Sequence, residues 1–409
     1  MTSPPFGFGP SGDGDPAKPG DPFAGLGATP DLGAMLHQLG DLLSGETGPV
    51  NWQVARQSAM AVIGTDSGTT AAESAEVADA IRLADIWLDP VTAMPSGVVS
   101  TEAWSRRRWL EATRPAWTEL VEPVAARVGS AMGAAIPEEV RSMAAPLMGV
   151  MTQVGGLMFG GQVGQALGTL ATEVVSATDI GMPIGPAGVA ALLPESVRAL
   201  GDGLSLPPDQ VRLFVALREA AHQRLFGHVP WLGAHLFSAV RSYAEGITID
   251  TSRFEELAGS VDPSDPESLQ RAIGEGLFEP TATPAQQAAL ERLETALALV
   301  EGWVDTVTAA AASAQLPSYA ALQETMRRRR ATGGPAERTF ATLVGLELRP
   351  RRLREAATLW QVLGERRGIE GREAVWSHPD LLPGASDLDD PEGWAQRGPD
   401  DSFDISELE

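Results

Sequence analysis

The sequence predicts a mainly α-helical protein, and three observations support this fold class. Hydrophobic residues make up 43% of the 409 residues and charged residues 21%, proportions typical of a folded globular chain. From position 31 onward, apolar residues recur at intervals of three and four, as on one face of a helix, beginning with Leu32, Met35 and Leu36. Runs of Val, Ile and Thr bounded by turn residues, which are typical of strands, are short and few.

The helical periodicity predicts a series of helices along the chain. Two of the starts are marked by local sequence. Pro208 and Asp209 favour a first helical turn, because proline fixes φ and an acidic side chain suits the helix N-terminus. The segment TATP at 281–284 also introduces a long helix. The predicted helices cover about 31–43, 50–64, 69–87, 101–127, 137–177, 208–226, 230–246, 283–312, 317–331 and 350–367.

Residues 142–172 carry no charged side chain and are long enough to cross a bilayer, which takes about 20 residues. Three glutamines are costly in hydrocarbon and Pro146 interrupts the run, so we expect a buried core helix and no membrane insertion. Glycine recurs at every fourth residue, which predicts a face that a second helix can approach closely. These glycines are Gly156, Gly160, Gly164 and Gly168.

The two ends of the chain are predicted to be disordered tails around one folded domain. Residues 1–30 are rich in Gly and Pro and offer little to bury against the entropy of ordering. The domain covers 31–394, and an acidic tail covers 395–409. An alternative interpretation of that tail is a short partner-binding motif formed by Phe403, Ile405 and Leu408.

Charge and cysteine content exclude several classes of protein. Lys and Arg number 30 against 54 Asp and Glu, so the net charge of −24 repels phosphates and argues against nucleic-acid binding. The absence of cysteine excludes disulfides, thiolate metal sites and a cysteine nucleophile, and it suits a reducing cytoplasm. We expect the arginine runs at 106–108, 327–330 and 349–354 to pair with carboxylates of the same chain.

A cluster of three histidines, His222, His228 and His235, suggests a metal site. Residues 218–222 have the form of the helical zinc motif H-E-x-x-H, in which two histidines bind zinc and the glutamate activates water. Arg218 stands where that motif has its first histidine, and a guanidinium cannot bind a cation. The alternative is an ordinary amphipathic helix with Arg218 and Glu219 facing solvent.

Residues 377–390 contain His378 and several aspartates, which could form a site for Ca²⁺ or Mg²⁺, although the EF-hand spacing is absent. We favour a structural role instead. His378 and Pro379 would end a helix, and Asp389 or Asp390 would cap the next short turn.

Several segments resemble a zincin-like hydrolase family of high-GC Gram-positive bacteria, often called zinc-dependent metalloproteases, with relatives linked to deazaflavin cofactor biosynthesis. Together they extend over about 101–394, and the last two are the most specific. The segments are GGQVGQALGTLATEV at 160–174, LREAAHQRLFGHVPWLGAHL at 217–236, EGWVDTV at 301–307, GGPAERTFATLVGLELRPRRLREAATLW at 333–360 and VWSHPDLLPGASDLDDPEGW at 375–394.

This resemblance implies a zincin-like helical domain with H-E-x-x-H on one helix and an E-G-H-like segment on a later one. By position, it makes Glu219 the general base and His222 and Glu301 zinc ligands. His235 is a possible substitute ligand.

Two positions depart from the family pattern, Arg218 and Trp303, which stand where relatives have histidine. We expect both changes to affect one cavity, where Arg218 would pair with Glu301 or Glu219 in place of a metal. The sequence therefore predicts an altered, non-catalytic zincin-like protein that binds zinc weakly at most and acts as a scaffold for a protein or peptide partner. The alternative is a zinc-dependent hydrolase or metallopeptidase with Glu219 as general base.

Overall fold

The computed structural model describes residues 48–134, 138–246, 283–331, 339, 340, 343 and 352–396. These residues are mainly helical, as predicted. The predicted helix at 31–43, the predicted tail at 1–30 and the acidic segment after Gln396 lie outside the described residues. The helices are α1 (Trp52–Ile63), α2 (Ala71–Leu88), α3 (Arg106–Ala134), α4 (Glu138–Glu173), α5 (Pro194–Gly201), α6 (Pro208–His228), α7 (Pro230–Glu245), α8 (Pro284–Ala312), α9 (Tyr319–Ala331), α10 (Leu353–Glu373) and α11 (Pro391–Gln396).

Two short strands, β1 (Ser100–Ala103) and β2 (Val189–Leu192), form a parallel pair in which Ser100 lies opposite Val189. The prediction of a helix starting near 101 is therefore wrong, because this helix begins at Arg106 after the strand. Helix α5 was also not predicted from the sequence. Strand β1 and helix α5 are both short, and the four residues of β1, STEA, have none of the apolar alternation of a longer strand.

The predicted glycine face lies on α4 and packs against α1. A β-carbon added to Gly164 would lie 2.2 Å from the carbonyl oxygen of Ala55, and one added to Gly160 would lie 2.4 Å from that of Asn51. The opposite face is exposed, with Met158 67% accessible, so the helix is buried on one face and not all round. Among the described residues, no helix is long and apolar enough to cross a membrane.

Helices α6 and α8 lie at the centre of the fold and position the candidate site. Helix α6 starts at Pro208, as predicted, and is continuously buried from Phe214 to Leu225 because α2, α5, α8 and α9 pack around it. Helix α8 starts with a capping box between Thr283 and Gln286, which satisfies backbone donors at its N-terminus. It also packs against α7 and α10.

The C-terminal part of the domain is held to α8 by stacked tryptophans. Trp360 and Trp376 stack with ring centroids 5.0 Å apart, and the indole of Trp360 donates to the carbonyl of Leu299 at 2.8 Å. Further on, Asp390 accepts a hydrogen bond from the backbone N–H of Gly393 at 3.0 Å and caps α11, as predicted. His378 accepts from the N–H of Asp380 at 3.2 Å and begins a short 3₁₀ turn.

Candidate functional site

Arg218 on α6 and Glu301 on α8 form the predicted ion pair at the centre of the fold. Nη2 of Arg218 donates to Oε2 of Glu301 at 2.5 Å, and Nη1 lies 3.8 Å from Oδ1 of Asp305. Arg218 is 6% exposed and Glu301 2%. The alternative in which Arg218 faces solvent is therefore wrong, because helices cover α6 on this side as well.

Arg330, at the end of α9, is a second cation on the same carboxylate. Its Nη1 also contacts Oε2 of Glu301, and its Nη2 donates to the carbonyl of Asp179 at 3.1 Å. Opposite charges outweigh the cost of its burial and raise its pKa, with Glu301 the main contributor and Asp179 the next. The sequence marked Arg330 only as part of a basic run, since its contact with Glu301 depends on how α9 packs.

The basic run at 327–330 pairs with carboxylates of this chain, as predicted. Each arginine takes a different partner, so α9 is tied to α8 and to the segment that follows α4. The pairs are Arg327 with Asp305 at 2.7 Å, Arg328 with Glu324 at 2.7 Å, Arg329 with Asp179 at 3.0 Å, and Arg330 with Glu301.

His222 lies one helical turn after Arg218 and uses both ring nitrogens. Nδ1 lies 2.9 Å from the carbonyl oxygen of Arg218, and Nε2 lies 3.2 Å from Oε1 of Glu301. A carboxylate only accepts hydrogen bonds, so the ring donates to Glu301 through Nε2. His222 thus joins the two arginines as a third donor to Glu301, and its ring stacks on Phe226.

Glu301 is an ionised carboxylate despite its burial. Burial alone would raise its pKa, but the charges of Arg330, His222 and Arg218 outweigh that effect and hold the pKa well below the ordinary value of 4.5. The carboxylate is therefore charged in the folded protein at any pH near neutrality.

We expect the stability contributed by this charge to be lost in acid. A carboxyl group whose pKa is lower in the folded state stabilises the fold above its unfolded pKa, and that contribution falls as the pH drops below it. The difference in unfolding free energy between the wild type and Glu301→Gln should be constant above about pH 6 and shrink toward about pH 3. Urea unfolding at several pH values measures it. A difference that grows in acid would contradict this assignment.

Glu219, the predicted general base, is fully buried and turned away from Glu301. Its Oε2 accepts from the N–H and the hydroxyl of Thr178 at 3.1 and 2.6 Å, and its Oε1 accepts from the amide of Gln223 at 2.9 Å. The solvent-facing alternative for Glu219 is wrong as well. These bonds attach the segment after α4 to α6, and no sequence pattern indicated a role for Thr178.

The same segment covers Glu301. Gly181 has φ +76°, and a β-carbon added there would lie 2.9 Å from Oε1 of Glu301. Glycine thus permits both a left-handed backbone and the close approach of the chain to the carboxylate. As a result Glu301, His222 and Glu219 are at most 2% exposed.

The structure places the other candidate residues elsewhere. Trp303 follows Glu301 by two residues and so points to a nearly opposite side of α8, where its indole donates to Glu373 at 2.7 Å. The expectation that positions 218 and 303 share one cavity is wrong. His235 packs edge-on against Trp231, with ring centroids 5.7 Å apart, and His228 contacts the carbonyl of Arg224 at 2.9 Å.

Comparison with known proteins relates this fold to a family and to a solved structure. No curated protein sequence matches the chain. The crystal structure of "a putative hydrolase with a novel fold" from Chloroflexus aurantiacus shares the fold, with 22% identity and a TM-score of 0.57 over 85% of this chain and 98% of that one. Residues 50–395 match the family described as zincin-like metallopeptidase. The chain therefore belongs to the zincin-like metallopeptidase family.

Proposed function

We propose that this chain is a non-catalytic zincin-like protein whose metal site has become a structural ion cluster, and that it acts by binding a protein or peptide partner. One observation carries the first half of the proposal. The Glu301 carboxylate is bound by Arg218, Arg330 and His222, the last of which contributes the nitrogen that would bind a metal in a zincin.

The residues present do not fit a zinc ion. A dication about 4 Å from one guanidinium is repelled by about 8 kcal/mol at an effective dielectric constant of about 20, so two of them contribute about 16 kcal/mol. Complete structural zinc sites yield about 10–16 kcal/mol. The repulsion from Arg218 and Arg330 therefore offsets the whole binding energy of a complete site, and this site also has an arginine in place of one ligand. We propose that zinc binds weakly at most.

Access to the site supports the same proposal. A general base must come within hydrogen-bond distance of a proton on the substrate or on its attacking water. Both oxygens of Glu219 already accept hydrogen bonds from Thr178 and Gln223, and the side chain is 0% exposed. This arrangement suits a residue that stabilises the fold.

If the protein has no catalytic activity, we propose that it functions by binding another molecule. With a net charge of −24 the chain would repel nucleic acid and anionic lipid, which leaves a protein or peptide as the partner we propose. The absence of cysteine supports a cytoplasmic location. We also propose kinship with the zincin-like proteins of high-GC Gram-positive bacteria that are linked to deazaflavin biosynthesis, because the segment at 375–394 resembles theirs.

The alternative function is a zinc-dependent hydrolase or metallopeptidase with Glu219 as general base. The family description favours this alternative. It requires the Glu301 cluster to open and release the carboxylate and His222, and it requires Glu219 to leave Thr178 and Gln223.

A peptidase assay decides between the two. The full chain with one equivalent of Zn²⁺ should cleave a mixed peptide library no faster than its Glu219→Gln and His222→Asn variants, since neither side chain would take part in catalysis. Mass spectrometry of the products measures cleavage, and circular dichroism checks that each variant is folded. His378→Asn is the matched control, because His378 is an exposed histidine away from the cluster. Cleavage that depends on zinc, is lost in both variants and persists in His378→Asn would refute the non-catalytic proposal.

A further inference from the structure

We propose that Arg218 and Arg330 together occupy the cation position beside Glu301, and that Arg330 alone is sufficient to prevent tight metal binding there. This inference rests on the proposed function and deepens it. The departure at position 218 is visible in the sequence, but restoring histidine there would not restore the site. The second obstacle comes from a different helix.

The geometry around Glu301 shows that the ligand positions of a metal site are still in place. Positions 218 and 222 lie one turn apart on α6, and both of their side chains reach the same carboxylate, Arg218 at Oε2 and His222 at Oε1. A histidine at 218 would face Glu301 from the same helix face, because residues four apart project in the same direction. Two imidazoles and one carboxylate are the protein ligands of a common type of catalytic zinc site.

Arg330 acts on this position independently of Arg218. It enters from α9, contacts Oε2 of Glu301 directly and is only 13% exposed at its side chain. Its other terminal nitrogen donates to the backbone carbonyl of Asp179 at 3.1 Å. These two contacts hold the guanidinium beside the carboxylate. Without Arg218, this cation would still neutralise Glu301 and repel a dication.

Arg327 provides a matched comparison within the same helix. It is an arginine of the same run and is also partly buried, but its partner is Asp305 at 2.7 Å and not Glu301. Removing its charge also breaks an ion pair between α9 and α8, but it leaves Arg330 on the carboxylate of Glu301. It therefore separates a specific effect of Arg330 from a general loss of positive charge.

The experiment measures binding of Zn²⁺ alone, by equilibrium dialysis and elemental analysis. The proteins are the wild type and the variants Arg218→His, Arg218→His/Arg327→Gln and Arg218→His/Arg330→Gln. We expect only the last to bind about one zinc per chain, at least about 10–100-fold more tightly than Arg218→His. Zinc should also raise its melting temperature, and adding Glu301→Ala should abolish binding. If this double variant is unfolded without metal, zinc should fold it.

Two results would overturn the inference. One is binding by Arg218→His that equals binding by Arg218→His/Arg330→Gln, since Arg330 would then not exclude the metal. The other is an Arg218→His/Arg330→Gln variant that binds no zinc, or one that is unfolded without metal and that zinc fails to fold. Stoichiometric zinc binding by the wild type would instead refute the proposed function. Failure of the proposed function is therefore seen in the wild type, and failure of this inference is seen in the variants.

Discussion

Replacing Glu301 with alanine is expected to destabilise the fold by about 3–5 kcal/mol. The substitution leaves the guanidinium groups of Arg218 and Arg330 and the ring of His222 without their shared anion, in a largely buried region. Breaking a buried ion pair by removing one partner costs far more than the pair itself contributes, because the remaining charge keeps its desolvation penalty. Chemical denaturation of the two proteins at neutral pH measures the loss.

Glu324→Ala is the matched control for this prediction. It removes the same functional group from the partner of Arg328, within the same arginine run, but that pair is exposed and its residues lie four apart on one helix. We expect a change within about 0.5 kcal/mol, as for most surface substitutions. Similar losses in Glu301→Ala and Glu324→Ala would show that the central cluster stabilises the fold no more than a surface pair does.

Local sequence predicted the features that depend on local chemistry. The helix starts at Pro208 and Pro284 follow from fixed φ and from the Thr283 cap, which act within a few residues of the chain. The glycine face of α4 follows from spacing alone, since every fourth residue projects from the same side of a helix. The strands were not predictable in the same way, because each is only four residues long and is stabilised by its partner far away in the chain.

The candidate site was predictable only in part, and there is a physical reason why some of its contacts could be predicted and others could not. The Arg218–Glu301 pair could be inferred because the family resemblance places both residues on facing helices. The burial of Glu219 could not, since an Arg-Glu dipeptide on a helix is typical of a solvent-exposed face, and here the packing around α6 overrides that tendency. The position of Arg330 depends on the packing of α9, which no local pattern encodes.

We expect Gly164→Ala to destabilise the protein by about 1–3 kcal/mol, although alanine is the better helix former by about 1 kcal/mol. The new methyl group would lie 2.2 Å from the carbonyl oxygen of Ala55 and 2.5 Å from the β-carbon of Ser58, so α1 and α4 would have to separate. The contact is with backbone, which cannot move aside as a flexible side chain can. Thermal and urea unfolding of the variant measure the effect.

Gly161→Ala tests the same change three residues earlier on α4, where an added β-carbon has nothing within 4 Å. There only the helix propensity acts, so this variant should be more stable than the wild type by about 0.5–1 kcal/mol. Opposite signs at the two positions would establish that close packing of α1, and not helix propensity, requires glycine at 164. Stabilisation by both substitutions would instead mean that the two helices pack less closely than this structure has them.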